Sequence, residues 1–478
     1  MNVILVNPAF KYFPNMRTSK HKYCRPSLGM CYVASYLRKY ALGKCEIRIF
    51  DALAEDRTDE EWIETIAGQK PDLIGFSVAT PTMEASRRMA LELKSRLPHA
   101  LIVAGGAHAT MLPDCMLGPF DAVVVGEGEA TFFEIARNGA DKASLPTIKG
   151  VAFQQNGVIV HTKPRGYFKS LDEIPFPARD LLPIPNYYHT YPYNRKGGYF
   201  GNIITCRGCP RNCYFCGNKA LWQGNVRFHS LDYVLEEIKM MVCTLDMSLV
   251  FIEDDDFLVN KKRAMEFCER VLASKLNFKW IVHACADGIE EESLRLMKRA
   301  GCVEFQIGVE SGDEGILKQI DKSKEGREVY YRAFRLLKKY GLNSWATIIL
   351  GHTDDTEESI ERTIDFAKKI DPTYASFIIM LPFPGSQVFE IYKRNGWLLT
   401  TDWSRYSWYG DPVFELPHLS AADLVRLRAK AMTAFYLRPS KIFRYLWQII
   451  KARSLREFFR NVLSWHSLVT YRAPKNRR

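Results

Sequence analysis

The chain has 478 residues, 47% hydrophobic and 25% charged, with a formal net charge of +12. That length suggests two or three domains of ordinary globular composition, with apolar material for more than one core. No window resembles a secretory signal and no uncharged apolar run reaches spanning length, so a cytoplasmic protein is expected and its twelve cysteines are not read as a disulfide framework.

Residues 1–140 alternate strand and helix. β-Branched apolar runs at 3–6, 47–50, 73–78, 101–104 and 122–125 predict short buried strands, and amphipathic stretches such as 28–40 and 82–97 predict helices between them. That alternation gives an α/β, Rossmann-like doubly wound parallel sheet. No GxGxxG follows the first strand, which argues against a dinucleotide site.

Residues 141–198 carry Pro146, Pro164, Pro175, Pro177, Pro183, Pro185 and Pro192, and are expected to form a β-extension and a Pro-rich linker over the surface. Residues 199–390 alternate again. Strands are predicted at 199–205, 249–253, 280–283, 304–309, 345–350 and 376–381, with helices such as 231–242 and 290–300. Six such units suggest a partial (β/α)6 barrel, whose chemistry belongs at the strand C-terminal ends.

Residues 391–478 are expected to be a basic helical C-terminal region. From 426 to 478 there are fourteen Lys or Arg and one acid, Glu457, a net of +13, so the basic balance describes a tail. Two roles stay open for it: a helical cap on the barrel with a solvated basic face, or a helix lying on an anionic membrane face. Nucleic acid is disfavoured, because no recognised module is present.

The distinctive residues follow the first barrel strand. Cys209, Cys213 and Cys216 form CxxxCxxC in the loop 205–216. Three thiolates on one loop can hold a cubane and leave its fourth iron open. A zinc site completed by Cys206 is the alternative, although Cys206 also reads as a small buried residue.

CxxxCx(aromatic)C after a barrel strand, with Phe215 at the aromatic position, resembles the radical S-adenosylmethionine superfamily. The resemblance implies that methionyl amine and carboxylate chelate the open iron, and that one electron splits the sulfonium to methionine and a 5′-deoxyadenosyl radical. It implies site residues strand by strand. Glu253 and Asp254, in the acidic segment 253–257, sit where the family contacts the methionyl amine; an acidic turn or a helix cap is the alternative. Glu310 and Ser311, in the segment 308–312, resemble the ribose-contacting GxES element. Gly351 and the segment 382–385 resemble later strand ends that line the adenosyl pocket.

There are two departures. The loop 351–356 reads Gly-His-Thr-Asp-Asp-Thr, where relatives often have Gly-Pro and a Glu. Cys285 stands where many relatives have Arg. That puts the usual carboxylate contact in doubt and makes Cys285 a candidate catalytic residue, with a packing thiol as its plain alternative.

The order of the two domains further resembles cobalamin-binding members of the superfamily, whose first domain carries DxHxxG, SxL and GG elements. The matches are Asp51, Ser77, and Gly105 with Gly106, joined by Ser27 at the first helix and by the loop of Gly126 and Glu127. Leu53 occupies the histidine position, so that loop offers cobalt no imidazole. Either cobalamin binds with its own base displaced, which is favoured, or the domain is scaffold. His108 is expected at a surface turn.

The resemblance thus implies a [4Fe–4S] cluster, S-adenosylmethionine and cobalamin, and an electron donor such as flavodoxin or ferredoxin. The implied activity is radical methylation of an unactivated carbon in a small molecule, with the tail hinting at a lipidic or tetrapyrrole-like substrate near a membrane. A radical cyclase or rearrangement enzyme with the same cofactors is one alternative. A non-catalytic cobalamin or metal-binding protein is another, and it would have no use for Glu310 or Asp254. If both cofactors serve one reaction, Gly105 and Gly106 must face the loop 209–216 across one buried cavity.

Overall fold

The computed structural model describes residues 1–8, 25–52, 54–55, 57–187, 198–320, 322 and 325–444. Seven strands make the first sheet: β1 (Asn2–Asn7), β2 (Glu46–Asp51), β3 (Leu73–Ser77), β4 (Leu101–Gly105), β5 (Ala122–Val124), β6 (Val151–Gln155) and β7 (Val158–His161). Their order is β2-β1-β3-β4-β5-β6-β7. The first five run parallel, and β6 and β7 add antiparallel at the edge. The order 2-1-3-4-5 is doubly wound, with its switch point between β1 and β3, where such sheets bind ligands beyond their carboxyl ends. Helices Leu28–Tyr40 and Gly128–Arg137 pack together, as do Asp59–Gly68 and Met83–Arg96.

The second sheet contains β8 (Tyr199–Ile203), then, after a two-residue antiparallel pair β9 (Cys206–Arg207) and β10 (Arg227–Phe228), the strands β11 (Met247–Ile252), β12 (Lys279–His283), β13 (Cys302–Glu310), β14 (Asn343–Leu350) and β15 (Tyr374–Ile379). Its order, β15-β14-β13-β12-β11-β8, is sequential and every neighbouring pair is parallel. This is the partial barrel. Val250, Ile252, Trp280 and Val282 face the main core, while Phe200, Leu249, Phe251 and Ile281 form a separate apolar cluster on the opposite face.

The proline-rich segment is not a surface linker. Leu171, Ile174, Arg179 and Tyr187 are buried. Arg179 Nη2 donates to the Asn202 carbonyl of β8 and pairs with Glu237, both at 2.6 Å, while the Ala178 N–H donates to the Cys31 carbonyl at 3.1 Å. A segment without a ladder of its own can be buried where its polar groups find partners on neighbours, and here those partners come from both domains.

The C-terminal region is helical only in part. Residues 397–420 are mostly irregular, with a 3₁₀ turn at Trp403–Arg405, and Pro412 and Pro417 interrupt them before helix Ala421–Tyr436. Arg426 pairs with Glu357, Lys430 with Glu361, and Arg438 with Asp371, all on or beside helix Glu357–Ile370. Lys441 is buried against Asp371 and the Pro372 carbonyl. This part of the basic tail is therefore a cap on the barrel; the remainder, 445–478, lies outside the described residues. Among the described residues no helix is long and apolar enough to cross a membrane.

His108 is not at the surface. It is buried, edge-on to Trp403 with ring centroids 5.1 Å apart, and its Nδ1 lies 3.0 Å from Thr80 Oγ1. Burial pushes its pKa down to about 4, and burial does the same for His229 against the opposing pull of Asp172. An unfolded histidine titrates near 6.5, so between about pH 6.5 and 4 the unfolded chain binds more protons than the folded one. Stability should therefore fall as pH drops through that window. We expect the melting temperature to decrease from pH 7 to pH 5 and His229→Gln to flatten that slope; a wild-type melting temperature constant over this range would contradict the assignment.

Candidate active site

The carboxyl ends of both sheets open on one cavity of about 410 Å³. Ser77, Gly105, Gly106 and Gly126 line it from the first sheet, and Cys206, Gly208 and Asp255 from the second. Gly106 has φ +95°, and a Cβ there would stand 2.9 Å from the Val78 carbonyl, so the turn after β4 requires glycine. Past Gly75 the cavity continues inward as an apolar slot to Leu5 and Phe132.

Three residues predicted for this wall lie elsewhere. Asp51 is fully buried, with the Tyr187 hydroxyl donating to it at 2.6 Å and Asn7 Nδ2 at 2.8 Å, so it pins the proline-rich segment. Ser27 does not line the cavity; Gly29, one turn-step further along, does. Leu53 lies outside the described residues.

Glu127 lines the cavity, but its carboxylate is already committed. Arg207 donates to it at 2.7 Å, Arg227 at 3.0 Å and the Phe168 N–H at 3.0 Å. Glu129 receives the other arm of Arg207 at 2.6 Å. Burial alone would raise the Glu127 pKa; the two guanidiniums outweigh it and hold the carboxyl below its usual range. This buried network joins the first sheet to the strand pair that precedes the cysteines.

The cysteine loop is anchored from beneath. Asp254 accepts from the Thr205 N–H at 2.6 Å, the Thr205 hydroxyl at 2.5 Å and the Cys206 N–H at 3.0 Å. Both of its oxygens are thus occupied by the loop, which corrects its expected place at the methionyl amine. Glu253 is turned toward Arg25, at 2.7 Å, and Asn202, at 3.3 Å. Asp255 is the acid that projects into the cavity, and its charge reaches Cys209 and Cys216.

Cys209, Cys213 and Cys216 are half-buried, and burial raises all three thiols above their ordinary pKa. Among the described residues no three ligating side chains are grouped around a single ion position. Zinc needs donors about 2.3 Å from one centre, whereas a cubane distributes its thiolates over separate irons and suits a wider spread. Cys206 is buried beside Asp254, and burial followed by that carboxylate pushes its thiol pKa up.

Across from the loop, Glu310 ends β13 with φ +64°, a left-handed conformation uncommon for a residue with a Cβ. Lys322 Nζ donates to its carboxylate at 2.5 Å and to the Gly308 carbonyl at 2.9 Å. Burial would lower the Lys322 pKa, but Glu310, Cys285 and Cys213 together hold it well above its usual value. Ser311 faces away: its hydroxyl meets Thr363 Oγ1 at 3.1 Å and accepts from the Asp313 N–H at 3.1 Å.

Cys285 is buried, and burial pushes its thiol pKa up against the pull of Lys322. Its N–H donates to Asp256 at 3.2 Å. Arg211 sits nearby, paired with Asp287 at 2.8 Å and Asp256 at 3.6 Å. On the loop's other side, Phe215 stands edge-on to His352 with ring centroids 6.1 Å apart. Gly351 has φ +91°, and a Cβ there would stand 2.7 Å from the Phe414 ring.

Residues 203–367 match the model of the Radical SAM superfamily, and residues 16–136 that of the B12 binding domain. The chain is 34% identical over 442 residues to an uncharacterized methyltransferase of Pyrococcus horikoshii, covering 91% of this chain and 94% of that one. The chain belongs to the cobalamin-binding radical S-adenosylmethionine family. This radical S-adenosylmethionine protein is also 28% identical to the anaerobic magnesium-protoporphyrin IX monomethyl ester cyclase of Rubrivivax gelatinosus, over 76% of this chain and 66% of that one. Its fold superposes with TM-score 0.72 on the cobalamin-dependent S-adenosylmethionine radical enzyme OxsB, solved with aqua-cobalamin and S-adenosylmethionine; identity is 18%, covering 98% of this chain and 73% of that one.

Several members of the radical S-adenosylmethionine site carry no sequence signal of their own. Lys322 lies in a charged stretch between two helices, and Arg207 gains meaning only from the two glutamates it meets. Asp255 could have been weighed beside Glu253 and Asp254, since all three leave the same strand.

Proposed function

We propose that this protein is a cobalamin-dependent radical S-adenosylmethionine methyltransferase that methylates an unactivated carbon of a small molecule, of lipidic or tetrapyrrole-like class. The observation that carries this reading is the single cavity, with Gly105 and Gly106 on one wall and the cysteine loop on the other. A binding protein for either cofactor alone has no need of that meeting.

The residues fit the groups. The glycine edge at 105 and 106 admits a broad flat ring, and the apolar slot toward Leu5 and Phe132 suits a pendant heteroaromatic base. Three half-buried thiols on one anchored loop suit three irons of a cubane. When bound, the cluster supplies the electron that cleaves S-adenosylmethionine, and cobalamin carries the methyl group.

The chain's own residues then bind and orient. Cys209, Cys213 and Cys216 hold the cluster. Asp255 accepts the methionyl ammonium, while Lys322 and Arg211 bring the positive charge that the third-strand loop lacks at Cys285. Glu310 accepts from the ribose hydroxyls, and Phe215 and Gly351 flank the adenosyl group. Ser77, Gly105, Gly106 and Gly126 line the cobalamin wall, and Cys285 packs beneath the adenosyl site. The Arg207 network closes one side against water, which would quench a carbon radical. We place the protein in the cytoplasm, served by a one-electron donor such as flavodoxin or ferredoxin. The basic residues of 445–478 are the part that would meet an anionic membrane face.

The test uses protein reconstituted with iron, sulfide and hydroxocobalamin. With S-adenosylmethionine and a reductant it should form 5′-deoxyadenosine and S-adenosylhomocysteine. Because Leu53 stands at the histidine position, bound cobalt(II) should show no splitting from a protein nitrogen ligand in electron spin resonance. Failure to retain cobalamin would overturn the reading. Identity to the cyclase supports ring closure as a second outcome, and the metabolites of a deletion strain separate the two: a lost methyl or a lost ring.

A further inference from the structure

The cysteine loop makes one more buried polar contact, and none of the cofactor roles above uses it. Tyr214, between Cys213 and Phe215, places its hydroxyl 2.7 Å from His352 Nδ1. The Thr353 N–H donates to the same hydroxyl at 3.4 Å. The phenol oxygen therefore accepts from Thr353 and gives its own proton to Nδ1, which puts the imidazole proton on Nε2.

Nε2 is buried and has no formed hydrogen bond among the described residues. The ring nevertheless interacts with the Glu310 backbone carbonyl. Since Tyr214 occupies Nδ1, that contact falls to Nε2. Burial keeps the ring neutral by lowering its pKa, so the tautomer is a fixed donor toward Glu310.

The ring is held in place from behind. Asp355 accepts from the Gly351 and His352 N–H groups, each at 2.9 Å, and is itself held by the Ser359 hydroxyl at 2.6 Å. The Tyr392 hydroxyl donates to the Gly351 carbonyl at 2.5 Å. His352 thus stands on a rigid turn between two mobile requirements: the loop that carries the cysteines and the left-handed turn that carries Glu310.

We propose that His352 is a positioning residue for S-adenosylmethionine. Through Tyr214 it holds the cysteine loop, and through its Nε2–H it holds the Glu310 carbonyl, so that the cluster and the ribose-binding carboxylate keep one fixed separation. This rests on the reading above that Glu310 contacts the ribose. It assigns a function to the histidine that departs from the family's usual fifth-strand loop.

The test compares reconstituted wild type with His352→Leu, His352→Gln, Tyr214→Phe and the double variant Tyr214→Phe/His352→Leu. Iron content, the electron spin resonance of the reduced cluster with and without S-adenosylmethionine, and KM and kcat for 5′-deoxyadenosine formation are measured. His352→Leu should raise KM for S-adenosylmethionine about tenfold with kcat changed much less, and weaken the ligand-induced change in the cluster signal. His352→Gln should recover most of both, because its amide N–H can replace Nε2–H. The double variant should be no worse than His352→Leu alone, since both changes break one link. His352→Gln and Tyr214→Phe preserve side-chain bulk and carry the comparison if the leucine variant does not load iron. Unchanged KM in iron-loaded variants, or effects that multiply in the double variant, would overturn the inference. A wild-type cluster signal that ignores S-adenosylmethionine would instead sink the reading of the site on which it rests.

Discussion

Replacing Cys209, Cys213 and Cys216 together by alanine is expected to take the reconstituted protein from about four irons per chain to none, and to abolish 5′-deoxyadenosine formation. Cys206→Ala should keep the iron, because that thiol is buried beside Asp254 and apart from the other three. The fold should survive the triple change. The loop's position depends on Asp254, which holds Thr205 and Cys206, and not on the cysteines. Compared without metal, wild type and triple variant should therefore melt within a few degrees of each other. Iron analysis, visible absorption and thermal melting check the three parts. Tightly bound zinc without iron–sulfur absorption in the wild type would defeat the assignment.

The strands of both sheets were legible because parallel strands buried on two faces read as unbroken apolar runs. The cysteines were legible because their spacing is local. What escaped the sequence was orientation and partnership. Glu253, Asp254 and Asp255 are consecutive, and which one faces the cavity depends on where β11 ends, at Ile252. A shift of one residue exchanges the faces, and pattern alone does not locate a strand end so closely. Asp51 matches a family element, yet its carboxylate is taken by Tyr187 from a distant segment. His108 follows two glycines and reads as a turn residue, but Trp403 from the C-terminal region covers it. In each case the deciding contact is long-range in the chain, where composition and periodicity carry no information.

Arg207 is such a contact, and its removal should be felt in both domains. Its guanidinium bridges Glu127 and Glu129, each nearly buried, and it precedes Cys209 by two residues. Arg207→Ala leaves Glu127 with Arg227 but leaves Glu129 without its salt-bridge partner among the described residues. Breaking a buried pair while keeping one charge costs about 3–5 kcal/mol, because the remaining ion is neither solvated nor neutralised. We expect destabilisation of about 3 kcal/mol, read as a lowered urea midpoint. Arg207→Met combined with Glu129→Leu should recover most of it, since the stranded charge is then gone. The recovery should not extend to the cofactors in the same measure. The arginine also fixes where the cysteine loop stands relative to the wall of Gly105 and Gly106, and apolar replacements fill volume without fixing that register. The double variant should therefore load iron normally while retaining less cobalamin than wild type. A urea midpoint for Arg207→Ala equal to that of wild type would show that the network does not bear on stability. Full cobalamin retention in the stabilised double variant would show that the cysteine loop and the cobalamin wall keep their register by other contacts, of which the Arg179 link from the proline-rich segment to β8 is the nearest in kind.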